Sequence, residues 1–109
     1  MKRIVTTLLL LIAMPASAWA EHACADDARR RATDLLTFHF EQDLPAPIDL
    51  DGEVRELPPV RAPIGASFDV LEIWGHVYKG NYRMRFLYAR IPGTCALMGQ
   101  EILENSDPS

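Results

Sequence analysis

Cys24 and Cys95 are the only cysteines in this chain of 109 residues, and they stand near its two ends. In an oxidising compartment they allow one pairing, which closes most of the chain into a single loop. A fold that satisfies it must bring the first structured element against the last. The leader supplies the compartment: Met1-Lys2-Arg3 is basic, Ile4 to Met14 is apolar apart from Thr6 and Thr7, and Ala18-Trp19-Ala20 offers small residues to a signal peptidase. The apolar run is shorter than the roughly 20 residues of a membrane-spanning helix. Residues 1–20 therefore read as a secretory signal peptide, with Ala16-Ser17-Ala18 as a second place to cut, and the expected location is periplasmic. Glu21-His22-Ala23 lacks the leucine and small residues that precede an acylated cysteine. A redox pair is more often spaced Cys-x-x-Cys, so the expected bond is a structural staple.

Residues 21–109 suffice for one small domain with one core. The formal charge is −4, and it moves to about −6 without Lys2 and Arg3. That balance argues against nucleic acid as a partner.

From Cys24 to Phe40 the spacing is helical. Cys24, Ala28, Ala32, Leu35, Leu36 and His39 recur on one face, and Asp26 and Asp27 fall in the first turn, where acids suit the helix dipole. The small end of that stripe would let the helix approach a sheet closely at Cys24, as a disulfide requires. Residues 41–66 carry Pro45, Pro47, Pro58, Pro59 and Pro63, which exclude a long helix or a central strand. We expect an extended wrapping segment there, with one short strand at Glu53 to Leu57 after a turn at Asp51-Gly52.

Ser67 to Glu104 reads as a curved antiparallel meander: Ser67 to Tyr78, Tyr82 to Ile91 and Thr94 to Glu104, with turns at Gly80-Asn81 and Pro92-Gly93. This register pairs Val77 with Tyr82, and it gathers Leu71, Ile73, Val77, Tyr82, Met84, Phe86 and Tyr88 on one apolar face. With a two-residue second turn, Cys95, Leu97 and Leu103 join that face, together with Arg90 and Glu101; a slip of one residue would reverse the third strand. The predicted fold is α+β: an N-terminal helix on a sheet of three to four strands, stapled once.

The opposite face receives Glu72, Trp74, His76 and Tyr78 beside Arg83, Arg85, Leu87 and Ala89, with Met98 and Ile102 on the next strand. Tryptophan and arginine are the residue types that carry interface energy. Trp74, His76, Tyr78, Arg83, Arg85 and Leu87 are thus the candidate binding residues. The competing expectation is that the acidic segment 41–66 folds over this face and neutralises its arginines, since a large exposed patch is unusual on a monomer.

Other chemistry is weakly signalled. His22, His39 and His76 lack the short spacings of a zinc site, and the alternation of Asp49, Asp51 and Glu53 has its glycine misplaced for a calcium loop. Ser67 lacks a completed nucleophile elbow; Glu72 and His76 share a strand face and form a minor acid–base candidate. No phosphate-cradling loop or cofactor fingerprint occurs, so no cofactor is expected. The leading expectation is an exported, non-enzymatic protein that binds another envelope protein in the manner of an inhibitor or immunity factor. The other is a structural envelope accessory with a self-covered face.

Overall fold

The computed structural model describes residues 20–105. Apart from Ala20, the expected leader lies outside the described residues, and so does the chain beyond Asn105. The element order is α1 (Ala25–His39), β1 (Ile48–Leu50), β2 (Arg55–Arg61), β3 (Ser67–Val77), β4 (Gly80–Ala89) and β5 (Ala96–Glu104). One helix packs on one five-stranded antiparallel sheet, so the α+β reading holds with one more strand than the upper expectation. No helix among the described residues is long and apolar enough to cross a membrane.

The core lies between α1 and the inner face of β3 and β4. Leu71, Ile73, Val77, Tyr82, Met84, Phe86 and Tyr88 are all buried there, against Ala28, Ala32, Leu35 and Leu36 of the helix. The period-two and helical patterns thus select the same side chains that the fold buries. His39 departs from the expected stripe: it is exposed at the helix end, its ring edge-on to Phe40 and Tyr82. Gly75 lets the helix come close. A Cβ at that position would meet Leu36 Cδ1 at 2.8 Å and Met84 Cε at 3.0 Å.

Two further contacts lock the layers together. Cys24 bonds to Cys95 with a Cα–Cα distance of 5.7 Å. The hydroxyl of buried Tyr88 donates to Asp27 Oδ2 at 2.8 Å, and Arg31 Nε approaches the same oxygen at 2.7 Å. Burial works against the Asp27 carboxylate, yet the bonds from Arg31 and Tyr88 hold its pKa below the ordinary range.

The hairpin between β3 and β4 differs from the expected one. Its loop is Tyr78-Lys79 and Val77 pairs with Gly80, a shift of two residues that preserves which face each side chain takes. Gly80 does not serve the turn; it makes room for the ring of Tyr82, whose hydroxyl would lie 2.5 Å from a Cβ there. The left-handed conformation falls on Tyr78 instead, at φ 54°. Tyr78 therefore leaves the outer face and sits exposed in the turn. Because that conformation costs a side chain roughly 1–2 kcal/mol, Tyr78→Gly is expected to stabilise the protein by about 1 kcal/mol, read as a higher urea midpoint. An unchanged or lower midpoint would mean that the tyrosine ring more than offsets the backbone cost.

The third meander strand is half as predicted. Tyr88 pairs with Leu97 as expected, but the register then breaks, so that Leu87 pairs with Gly99 and Met98 is the extra residue. A bulge reverses every later side chain. Ile102 turns inward against the core, while Glu101 and Leu103 turn outward and Leu103 is half exposed.

The proline-rich segment is also placed differently. It does not fold over the outer face but lines the edge of β3, with β1 beside Gly75–Val77 and β2 beside Ser67–Glu72. Its Leu44, Ala46, Ile48, Leu50 and Val54 pack on the core side. Edge strands tolerate proline, and Pro58 and Pro59 fall where the β2 register breaks, between Leu57 and Val60.

Candidate functional site

The outer face is organised in rows that run across the strands. One row is Arg55–Glu72–Arg85–Glu101, four partners in succession on β2, β3, β4 and β5, with charge alternating at each step. At its centre Glu72 is only 3% exposed. It accepts from Arg85 Nε at 2.8 Å, Trp74 Nε1 at 3.2 Å and Arg55 Nη1 at 3.4 Å. A carboxylate that deep requires such donors. Arg85 continues to Glu101 at 3.9 Å, and Arg83 Nη2 reaches the same carboxylate at 3.3 Å.

The next row is Trp74–Arg83–Leu103. It sets an indole, a guanidinium and an exposed leucine side by side. The Nε of Arg83 is buried with no hydrogen-bond partner among the described residues. On the other side of the ladder, Leu87 is half-buried beside Val70 and Gly99. The face thus gathers Trp74, Arg83, Arg85 and Leu87 as expected, and it adds Arg55, Glu101 and Leu103. Arg55 was missed because β2 runs through prolines, and Glu101 and Leu103 because of the bulge. Gly99 beside Met98 was the available signal, since glycine inside a strand often marks a bulge. Arg83 and Arg85 find their acids in Glu72 and Glu101, not in segment 41–66.

The chain matches no family model, no curated protein and no solved structure. Function must be read from the chemistry of the surface alone.

His76 sits at the end of the face, where Nδ1 lies 2.6 Å from Asn81 Oδ1 and Nε2 lies 2.9 Å from Asp51 Oδ1. With an acceptor at each nitrogen the imidazolium is favoured. The Asn81 contact first, then Asp51, raises the pKa, against a smaller effect of partial burial. The protonated ring contributes stability that is complete below about pH 6.5, the ordinary value, and is lost as pH rises through the elevated one. The melting temperature is therefore expected to decline from about pH 6.5 upward and to do so less in His76→Gln. Parallel pH profiles for the two proteins would contradict this. Glu72 and His76 are engaged with separate partners and share no hydrogen bond with each other.

A second polar cluster lies beside the disulfide. His22 Nε2 is 2.8 Å from Asp69 Oδ2, and Arg90 Nε donates to Asp69 Oδ1 at 2.8 Å. His22 and then Arg90 hold the Asp69 carboxyl below its ordinary range. Arg90, expected on the core face, is instead exposed here. A ligand atom of Glu56 joins those of His22 and Asp69 within 4.8 Å, the one group of potential metal ligands among the described residues. Proton placement disfavours a metal. The Cys24 N–H points at His22 Nδ1 across 3.0 Å, so the neutral ring carries its proton on Nε2, toward Asp69. A cation on Nε2 would force a proton onto Nδ1 against that N–H.

Proposed function

We propose that this protein is exported and non-enzymatic, and that it binds another envelope protein through the outer face of its sheet, in the manner of an inhibitor or immunity factor. The observation that carries the reading is the row Trp74–Arg83–Leu103 beside the ladder, in which a half-exposed leucine adjoins a partly exposed arginine and tryptophan. Tryptophan and arginine dominate interface energetics, and a network held by Glu72 keeps the arginines ordered before a partner arrives. The Arg83 side chain is one-quarter exposed, so the outer end of its guanidinium can donate to a partner carboxylate or carbonyl. The rival reading, a structural accessory with a self-covered face, rested on the proline-rich segment, which is committed to the sheet edge.

The test is capture from envelope extract with the parent protein and with a Trp74→Ala/Leu103→Ser variant. These two substitutions spare the Glu72–Arg85 pair but remove the Trp74 donor to Glu72, so the capture is read only after circular dichroism and a urea midpoint show the variant folded. A protein retained by the parent and lost by the variant supports the reading and identifies the partner. Equal capture by both overturns it.

A further inference from the structure

We propose that the free edge of β5 accepts an added strand: an extended segment of a partner protein that sets a basic residue opposite Glu101. Three observations converge on this. The first is the unequal treatment of the two edges. Among the described residues, only the three-residue β1 and the proline-broken β2 lie beyond β3. On the other side β5 pairs with β4 alone among the described residues, and its nine residues include no proline or lysine. Unpaired backbone along such an edge is a template for another strand.

The second is the charge ladder. Arg55–Glu72–Arg85–Glu101 alternates in sign across four strands and stops on an acid at the edge, with Glu101 half exposed. Opposite charges directly across a strand pair attract and like charges repel, so a cation continues the series. The third lies on the other face of β5. Gln100 and Ile102 look toward α1, and two clefts of about 710 and 230 Å³ run between helix and strand. Leu35 and Phe38 line both, Ile102 lines the larger, Arg31 and Asp34 border the smaller, and Phe38 is 77% exposed. Side chains of an added strand alternate in direction, so the neighbours of the basic residue enter these clefts and are apolar.

A second copy of this chain fits less well. β5 contains no arginine, lysine or histidine, so no register of β5 against itself sets a cation opposite Glu101. The occupant therefore has a mixed strand: basic on one face, apolar on the other.

The probe is a labelled peptide, acetyl-Ser-Val-Thr-Val-Arg-Val-Thr-Val-Ser-amide, titrated by fluorescence polarisation against the whole protein. A matched probe carries glutamate in place of arginine. The arginine probe is expected to bind about fivefold more tightly, Glu101→Lys to reverse that order, and the β5 amides to gain protection from hydrogen exchange when the probe is bound. Equal affinity of the two probes, no binding, or protection elsewhere overturns the proposal. Self-association in sedimentation that Ile102→Pro abolishes assigns the edge to a second copy and overturns it as well. The probe is read at Glu101 and the β5 amides and the capture experiment at Trp74, so this site and the outer-face reading fail separately.

Discussion

Replacing Cys95 with serine, or reducing the parent protein, is expected to lower the melting temperature by roughly 15–30 °C. The bond joins residues 71 apart, and the chain-entropy argument values closure of so long a loop at about 4 kcal/mol. In a domain this small each kcal/mol corresponds to roughly 4–8 °C. The staple also lies where other support is thin. It ties the N-terminal end of α1 to the loop ahead of β5, where the helix buries only the small apolar side chains of Ala25 and Ala28 and adds the Asp27–Tyr88 hydrogen bond. Calorimetry with and without reductant, beside Cys24→Ala/Cys95→Ala, checks it. Coincident melting curves would show that packing alone holds the helix.

The next largest effect belongs to the ladder. Arg85→Met is expected to cost about 2–3 kcal/mol, because it leaves the buried Glu72 carboxylate with Trp74 and a long contact to Arg55. Arg85 is itself one-third exposed, which keeps the figure below that of a fully buried pair. Glu72→Met is expected to cost less, since Arg85 keeps Glu101 and reaches water. The double replacement is expected to lie closer to the parent than Arg85→Met does, as apolar groups of similar size often replace an ion pair without loss. Urea denaturation of the four proteins gives the cycle. An Arg85→Met midpoint within error of the parent would mean that Arg55 and Trp74 suffice to hold the carboxylate.

The parts of this fold that could be read from sequence are those where one period runs uninterrupted. In α1 the alanine-to-leucine stripe, and in β3 and β4 the strict alternation, each identify a buried face whatever the detailed register; the hairpin moved by two residues and kept every buried side chain, at the loss of Tyr78 from the outer face. In β5 a single extra residue, Met98, cancels the alternation, so Ile102 and Leu103 exchange roles and Glu101 joins the arginines. Segment 41–66 resisted reading for a different reason. Proline forbids the interior of a sheet and says nothing about its edge, and the pairing of β2 depends on β3, a partner distant from the pattern being read. The candidate face was thus recognisable through Trp74, Arg83, Arg85 and Leu87, while its outermost charges, Arg55 and Glu101, depended on tertiary pairing.

Pro58 and Pro59 carry a consequence for how this protein behaves at high concentration. An open sheet becomes a filament when the growing edge of one copy docks on the far edge of the next, a head-to-tail contact that never closes. Here the far edge is three residues of β1 and a kinked, proline-bearing β2. The β5 edge of one copy therefore meets no long regular strand on the far edge of the next. Head-to-tail growth between copies is blocked at that side, and the molecule can keep one open edge without becoming a fibre of its own chain.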